Sequence, residues 1–140
     1  DRDFCIPFRR AHVLREGSAC TVLTTSVMGA LAVKITEETG IDGEVIDLRN
    51  LDHHGIDWDT IGQSVSRTGR VIIAEQTVRS MSMGAIWADG IQERFFDSLD
   101  YEILRVTGGL AAPTVSAVLN RAALGSAADL REAMLRITGN

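Results

Sequence analysis

The sequence predicts an α/β domain, a three-layer α/β/α arrangement built on a mostly parallel five-stranded sheet. Three observations lead there. Short apolar segments alternate along the chain with segments of helical period, the pattern of strands joined by crossover helices. The segment "RVIIAE" at 70–75 is continuous and β-branched rather than alternating, as in a strand buried on both faces. Helical segments begin at Ser or Asp and end at Gly, as at Ser26 and Gly40. The 140 residues fit one domain, 1–140, with residues 1–10 as a lead-in. A chain of this size buries roughly 70% of its unfolded surface, enough for a real core.

Each element follows in order. In "DRDFCIPFRR" Pro7 lacks the N–H that a sheet ladder needs, so the segment leads in without pairing. Ala11–Arg15 reads as a short strand closed by Gly17, and "CTVLTT" at 20–25 as a second, more apolar one. "SVMGALAVKITEETG" reads as a helix with Ser26 as N-cap and Gly40 as stop; Val27, Ala30, Leu31 and Ile35 fall at helical spacing. "GEVIDL" at 43–48 is the third strand, and "DTIGQSVSRTG" a helix with Asp59 as cap. After the fourth strand, "GAIWADGIQERFFDSLD" reads as a long helix. Trp87, Ile91 and Phe95 recur every four residues there and face the sheet as core. "YEILRVTG" at 101–108 is the fifth strand. Two short helices follow Pro113, about Val115–Ala123 and Ala127–Ile137. There is no internal repeat, low-complexity segment or interior linker.

Composition narrows the function classes. Hydrophobic residues make up 45% and charged residues 24%, the mix of an ordinary soluble domain. The net charge is −5, and Arg9-Arg10 is the only adjacent basic pair, which argues against nucleic acid as a main partner. Cys5 and Cys20 form no motif and read as reduced thiols of a cytoplasmic protein. No apolar run reaches the ~18 residues of a membrane helix. The start at Asp1 reads as a processed product or a domain cut from a longer protein.

The motifs that carry chemistry are few. "TGGLAAP" follows a strand, but its glycines match neither the dinucleotide nor the P-loop spacing. There is no Gly-x-Ser-x-Gly elbow and no Cys-x-x-Cys, and His12 stands alone. "NLDHHGIDWDTI" at 50–61 concentrates His53, His54, Asp57 and Asp59. Adjacent histidines on an extended segment point to opposite sides, and zinc ligands are usually two to four residues apart. A polar turn through Gly55 feeding a helix therefore outweighs a metal site or a metal hydrolase built on His53, His54 and Asp57. Glu75 ends the most apolar strand. In doubly wound sheets ligands sit at the carboxyl ends of strands, so Thr25, Ser26, Glu75 and Thr107 define a candidate strand-end crevice. Glu75 has a second reading, hydrogen bonding to the backbone of neighbouring turns.

An ordered set of segments carries a family resemblance across nearly the whole chain. It begins at "IPFRRAHVLREGSACTVLTTSVMGALA", with an Ile-Pro lead-in, a basic strand ending in Arg-Glu-Gly and an apolar strand. It continues through "EVIDLRNLDHHGIDWDTIGQSVSRTGRVIIAEQ", with its Ile-Asp-Leu-Arg-x-Leu segment, Asp-x-x-Thr-Ile helix start and Thr-Gly-x-x-x-x-x-Glu pattern. It ends in "FFDSLDYEILRVTGGLAAPTVSAVLNRAAL". This set resembles the C-terminal domain of the transketolase superfamily, above all that of the β subunit, or β part of a fused chain, of thiamine-diphosphate-dependent 2-oxo acid dehydrogenases. Three features depart from the family pattern: a lone Pro113 after the Arg-Val-x-Gly turn, Leu124-Gly125 before the last helix, and fewer glycines in "SMSMGAIWADGI".

The resemblance implies a transketolase C-terminal-domain fold with one antiparallel edge strand. It implies that His53 and His54 lie on a connector. Thiamine diphosphate and Mg²⁺ belong to other domains of the full enzyme, so this segment holds no catalytic, cofactor-binding or metal-binding residue. The implied role is noncatalytic: supporting a homo- or hetero-oligomer and docking the acyltransferase core of the complex. A free-standing α/β module that binds a small effector at the strand ends is the alternative.

Overall fold

The computed structural model describes residues 5–110 and 114–139; the expectations placed on Pro113 and on the first four residues lie outside these. The sheet has five strands in the order β1-β3-β2-β4-β5. They are β1 (His12–Arg15), β2 (Cys20–Thr24), β3 (Gly43–Asp47), β4 (Val71–Val78) and β5 (Leu104–Gly108). Strands β2, β3, β4 and β5 are parallel. The edge strand β1 runs antiparallel to β3, with an irregularity between Val13 and Arg15.

The helices α1 (Val27–Thr39), α2 (Trp58–Thr68), α3 (Gly84–Phe95), α4 (Ala117–Ala123) and α5 (Ala127–Thr138) complete the element order. Alternation along the central strands divides the core in two. Val22, Val45, Ile72 and Val106 meet Met28, Ala32 and Ile35 of α1 and Leu130, Met134 and Ile137 of α5. Leu23, Ile46, Val71 and Ile73 meet Ile61 and Val65 of α2 and Trp87 and Ile91 of α3. Each face of the sheet is thus closed by a helix pair, the three-layer arrangement that two buried faces require. Helices α2 and α3 approach closely at two glycines: a Cβ on Gly62 would lie 2.7 Å from Phe95, and one on Gly90 would lie 2.3 Å from Trp58.

The fifth strand begins at Leu104 rather than Tyr101, and four details of the first three helices also differ from the sequence expectations. Helix α1 buries Met28, Gly29, Ala32, Ile35 and Thr36, while Val27 and Ala30 face out, so the stripe is rotated from the expected Val27, Ala30, Leu31 and Ile35. Ser26 stands at the N-cap position but makes no side-chain cap bond, with φ 56 and ψ −133. The cap of α2 is Asp57, which accepts from the Thr60 N–H; Asp59 sits in the first turn. The long helix stops at Phe95 and tightens into a 3-10 turn at Phe96–Ser98.

Candidate functional site

The carboxyl ends of β2, β3, β4 and β5 share one edge of the sheet. Between the turns there lies a crevice of about 300 Å³, lined by Thr25, Ser26, Val27, Leu51, Glu75, Gln76, Thr77 and Met83. The structure thus brings Thr25, Ser26 and Glu75 together. Thr107 lines a different groove of about 410 Å³, between β5 and α5.

Glu75 is not at the end of its strand. Strand β4 runs on to Val78, but its pairing with β5 is irregular between Ala74 and Val78. The carboxylate is 5% exposed. Its Oε2 accepts from the Ser82 hydroxyl and from the Gly84 N–H at 2.8 Å. Gly84 opens α3, so the carboxylate sits where the helix offers unsatisfied N–H groups and the positive end of its dipole. A Cβ on Gly84 would lie 2.4 Å from Oε2 and 2.8 Å from Ile73, which explains glycine at that position. Glu75 therefore fastens the β4–α3 turn through one oxygen, while its side chain forms part of the crevice wall. Thr25, Ser26, Gln76 and Thr77 are the other polar residues of the lining.

The histidine segment forms a 3-10 turn at His53–Gly55. The two rings lie edge to face with centroids 5.4 Å apart, and the His54 Nδ1 stands 4.0 Å from Asp52. Among the described residues no group of three His, Cys, Asp or Glu side chains is placed to hold a metal ion. Asp57 is turned away from the histidines to a structural task. It accepts from the Thr60 N–H at 3.1 Å, the Thr60 hydroxyl at 2.9 Å and the Ala11 N–H at 3.0 Å. Burial by itself would raise this carboxyl; the Thr60 and Ala11 bonds outweigh it and hold Asp57 below the usual carboxylate range.

Two charged constellations were not legible in the sequence. Glu44, 3% exposed, pairs with Arg67 in the wall of a cleft of about 560 Å³. Arg79 and Arg105 meet in the groove between β5 and α5. Their sequence separation of 26 hides them. The register Val78↔Gly108 and the bond from the Arg79 N–H to the Gly109 carbonyl, 3.1 Å, bring them together.

With the fold and its strand-end edge in place, comparison with known proteins identifies the class. The family model "Transketolase, C-terminal domain" matches residues 9–130, and the chain belongs to that family. A solved structure described as a split-gene transketolase, an inactive beta4 tetramer, superposes with a TM-score of 0.76 at 25% identity, covering 99% of this chain and 44% of the other. Among curated relatives, the 2-oxoisovalerate dehydrogenase subunit beta of Pseudomonas aeruginosa is 41% identical over 77% of this chain and 30% of its own length. The pyruvate dehydrogenase E1 component subunit beta of Rickettsia felis is 38% identical over 94% of this chain and 41% of its own length. The mitochondrial subunit beta-1 of the same component from Arabidopsis thaliana is 33% identical over 97% and 38%. The chain thus spans less than half the length of these relatives. No described helix is long and apolar enough to cross a membrane.

Proposed function

We propose that this chain, as a single unit over residues 1–140, is the noncatalytic C-terminal domain of a thiamine-diphosphate-dependent 2-oxo acid dehydrogenase. The domain belongs to a separate β subunit or to the β part of a fused chain. The full enzyme decarboxylates a 2-oxo acid on thiamine diphosphate with Mg²⁺ and acylates a lipoyl group; cofactor and metal bind on other domains. This one supports subunit assembly and docks the acyltransferase core, in the cytoplasm. The names of the relatives, all subunits of multi-part dehydrogenases, support the reading.

The observation that carries it is an apolar rim. Each parallel strand is followed by an exposed large apolar side chain at the same sheet edge: Val27 after β2, Leu51 after β3, Met81 after β4 and Leu110 after β5. Met81 is 80% exposed and Leu110 77%, and Val118 and Leu119 of α4 add to the surface. Helix α4 is held at that edge by the bond from the Gly109 N–H to the Ala123 carbonyl, 3.1 Å. Single exposed apolar residues are ordinary, but a group at one edge marks an interaction surface. Ile86 and Phe96, near the two ends of α3, are exposed as well and extend the candidate contact surface.

The test is sedimentation of the full-length protein carrying Leu51→Ser, Met81→Ser and Leu110→Ser together. The expected result is dissociation toward smaller species with unchanged far-UV circular dichroism. Unaltered assembly down to nanomolar protein would overturn the assembly role of this edge.

A further inference from the structure

We propose that Arg79 and Arg105 form a binding site for a phosphate group in the groove between β5 and α5. Two guanidiniums meet here. Arg79 donates from Nη1 to the Arg105 carbonyl at 3.4 Å, and Arg105 from Nη2 to the Arg79 carbonyl at 3.3 Å. Each guanidinium carries five N–H donors, so these two long bonds leave most of them unused. The Arg105 Nε is buried and finds no acceptor. Buried donors are nearly always satisfied in folded proteins, and one left over points to a missing acceptor.

The ion pairing points the same way. Among the described residues neither guanidinium has a carboxylate within ion-pair distance. Three carboxylates also line the groove, and among the described residues none pairs with Arg79 or Arg105. Glu102 pairs with Arg136. Asp129 accepts from the Ser126 N–H and hydroxyl in the capping box of α5. Glu132 acts on Arg136, whose guanidinium is held above its ordinary value first by Tyr101, then by Glu102 and Glu132. The groove as a whole balances three guanidiniums, with Arg136, against three carboxylates, but Arg79 and Arg105 themselves take part in no ion pair among the described residues. Thr107 supplies a hydroxyl beside them, now donating to the Gly108 carbonyl at 3.0 Å.

A carboxylate offers two oxygens in one plane and one negative charge; a phosphate presents three or more acceptor oxygens in a tetrahedral arrangement and up to two negative charges. Two guanidiniums and a hydroxyl match the phosphate. The groove, about 410 Å³, has room for the rest of a small phosphorylated molecule. This site lies between β5 and α5 and borders the apolar rim at Met81 and Leu110, but it does not rest on the assembly role.

The experiment titrates the ¹⁵N-labelled chain with sodium phosphate, against sodium chloride at matched ionic strength. Phosphate should give saturating shifts at the amides of Arg79 and of residues 105–109, and at the Arg105 Nε–H. R79Q and R105Q should each weaken phosphate binding about tenfold or more, as loss of a charge-assisted bidentate contact does. Shifts that stay linear, or that chloride reproduces, would overturn the site. Acetate binding as tightly as phosphate would overturn the assignment to phosphate. If a variant loses its dispersed spectrum, the Arg105 Nε–H resonance of the unaltered chain decides alone.

Discussion

Replacing Glu75 by alanine tests whether this side chain holds the β4–α3 turn. The substitution removes two charge-assisted acceptances, from the Ser82 hydroxyl and the Gly84 N–H. It leaves both donors in a buried setting, since Ser82 is 7% exposed and Glu75 itself 5%. An orphaned buried polar group costs about 1–3 kcal/mol, and a hydrogen bond to a charged group is at the upper end of the usual range. Part of the loss is recovered because the carboxylate no longer has to be desolvated. The net expectation is a destabilisation of about 3 kcal/mol. For a domain of this size each kcal/mol lowers Tm by about 3 °C, so the transition should fall by about 9 °C. Glu75→Gln keeps one carbonyl oxygen for the Gly84 N–H and should lose about half as much. Urea unfolding followed by tryptophan fluorescence reads both, with Trp87 buried near the turn as reporter. A Glu75→Ala loss below about 0.5 kcal/mol, the level of an ordinary surface change, would refute the reasoning and leave Glu75 as a group free for ligand.

Asp57 has its carboxyl held low by the Thr60 and Ala11 bonds, so its contribution is present above the unfolded value of about 3.9 and disappears as pH falls through the lower folded value. Asp57→Ala should cost about 1–2 kcal/mol at neutral pH and flatten the acid limb of stability against pH; an unchanged acid limb would count against the cap. Burial pushes the Cys20 thiol from 9.0 up to about 11, with Arg70 opposing the shift. The neutral thiol is favoured in the fold, so stability is fully present below the unfolded pKa and falls by about 2–3 kcal/mol as pH rises toward 11. In thiol titration Cys5, which is exposed, should react at once and Cys20 only after unfolding. His53→Ala with His54→Ala should change stability by about 0.5 kcal/mol or less. Zinc bound at one equivalent per chain and lost in the double variant would overturn the connector reading.

The strands were legible where burial dictates composition. Strand β4 is covered on both faces, so only β-branched and small apolar residues fit from Val71 to Ala74. Where several residues satisfy the same local rule, the sequence could not choose. Asp57 and Asp59 both suit a helix start, and Asp57 is selected by a bond to Ala11, 46 residues away. The stripe on α1 has the expected period but another phase, because Gly29 and Thr36 are buried and neither reads as apolar core. In the crevice, Thr25 and Ser26 follow from the end of β2, whereas Thr107 falls on the far side of β5 because α5 packs there. The inward turn of Glu75 depends on an irregular register, which has no local signature.

The most direct test of the assembly account removes residues 1–140 from the full-length parent and follows light scattering together with 2-oxo acid decarboxylation. Obligate interfaces commonly bury upwards of ~2,000 Å², so loss of this surface should shift the parent toward monomers. A misplacement of reacting groups near 1 Å costs about a hundredfold in rate, so the proposed decarboxylation should fall with assembly although no catalytic group is removed. A truncated parent that stays fully assembled and fully active would contradict the account and favour the effector-binding module.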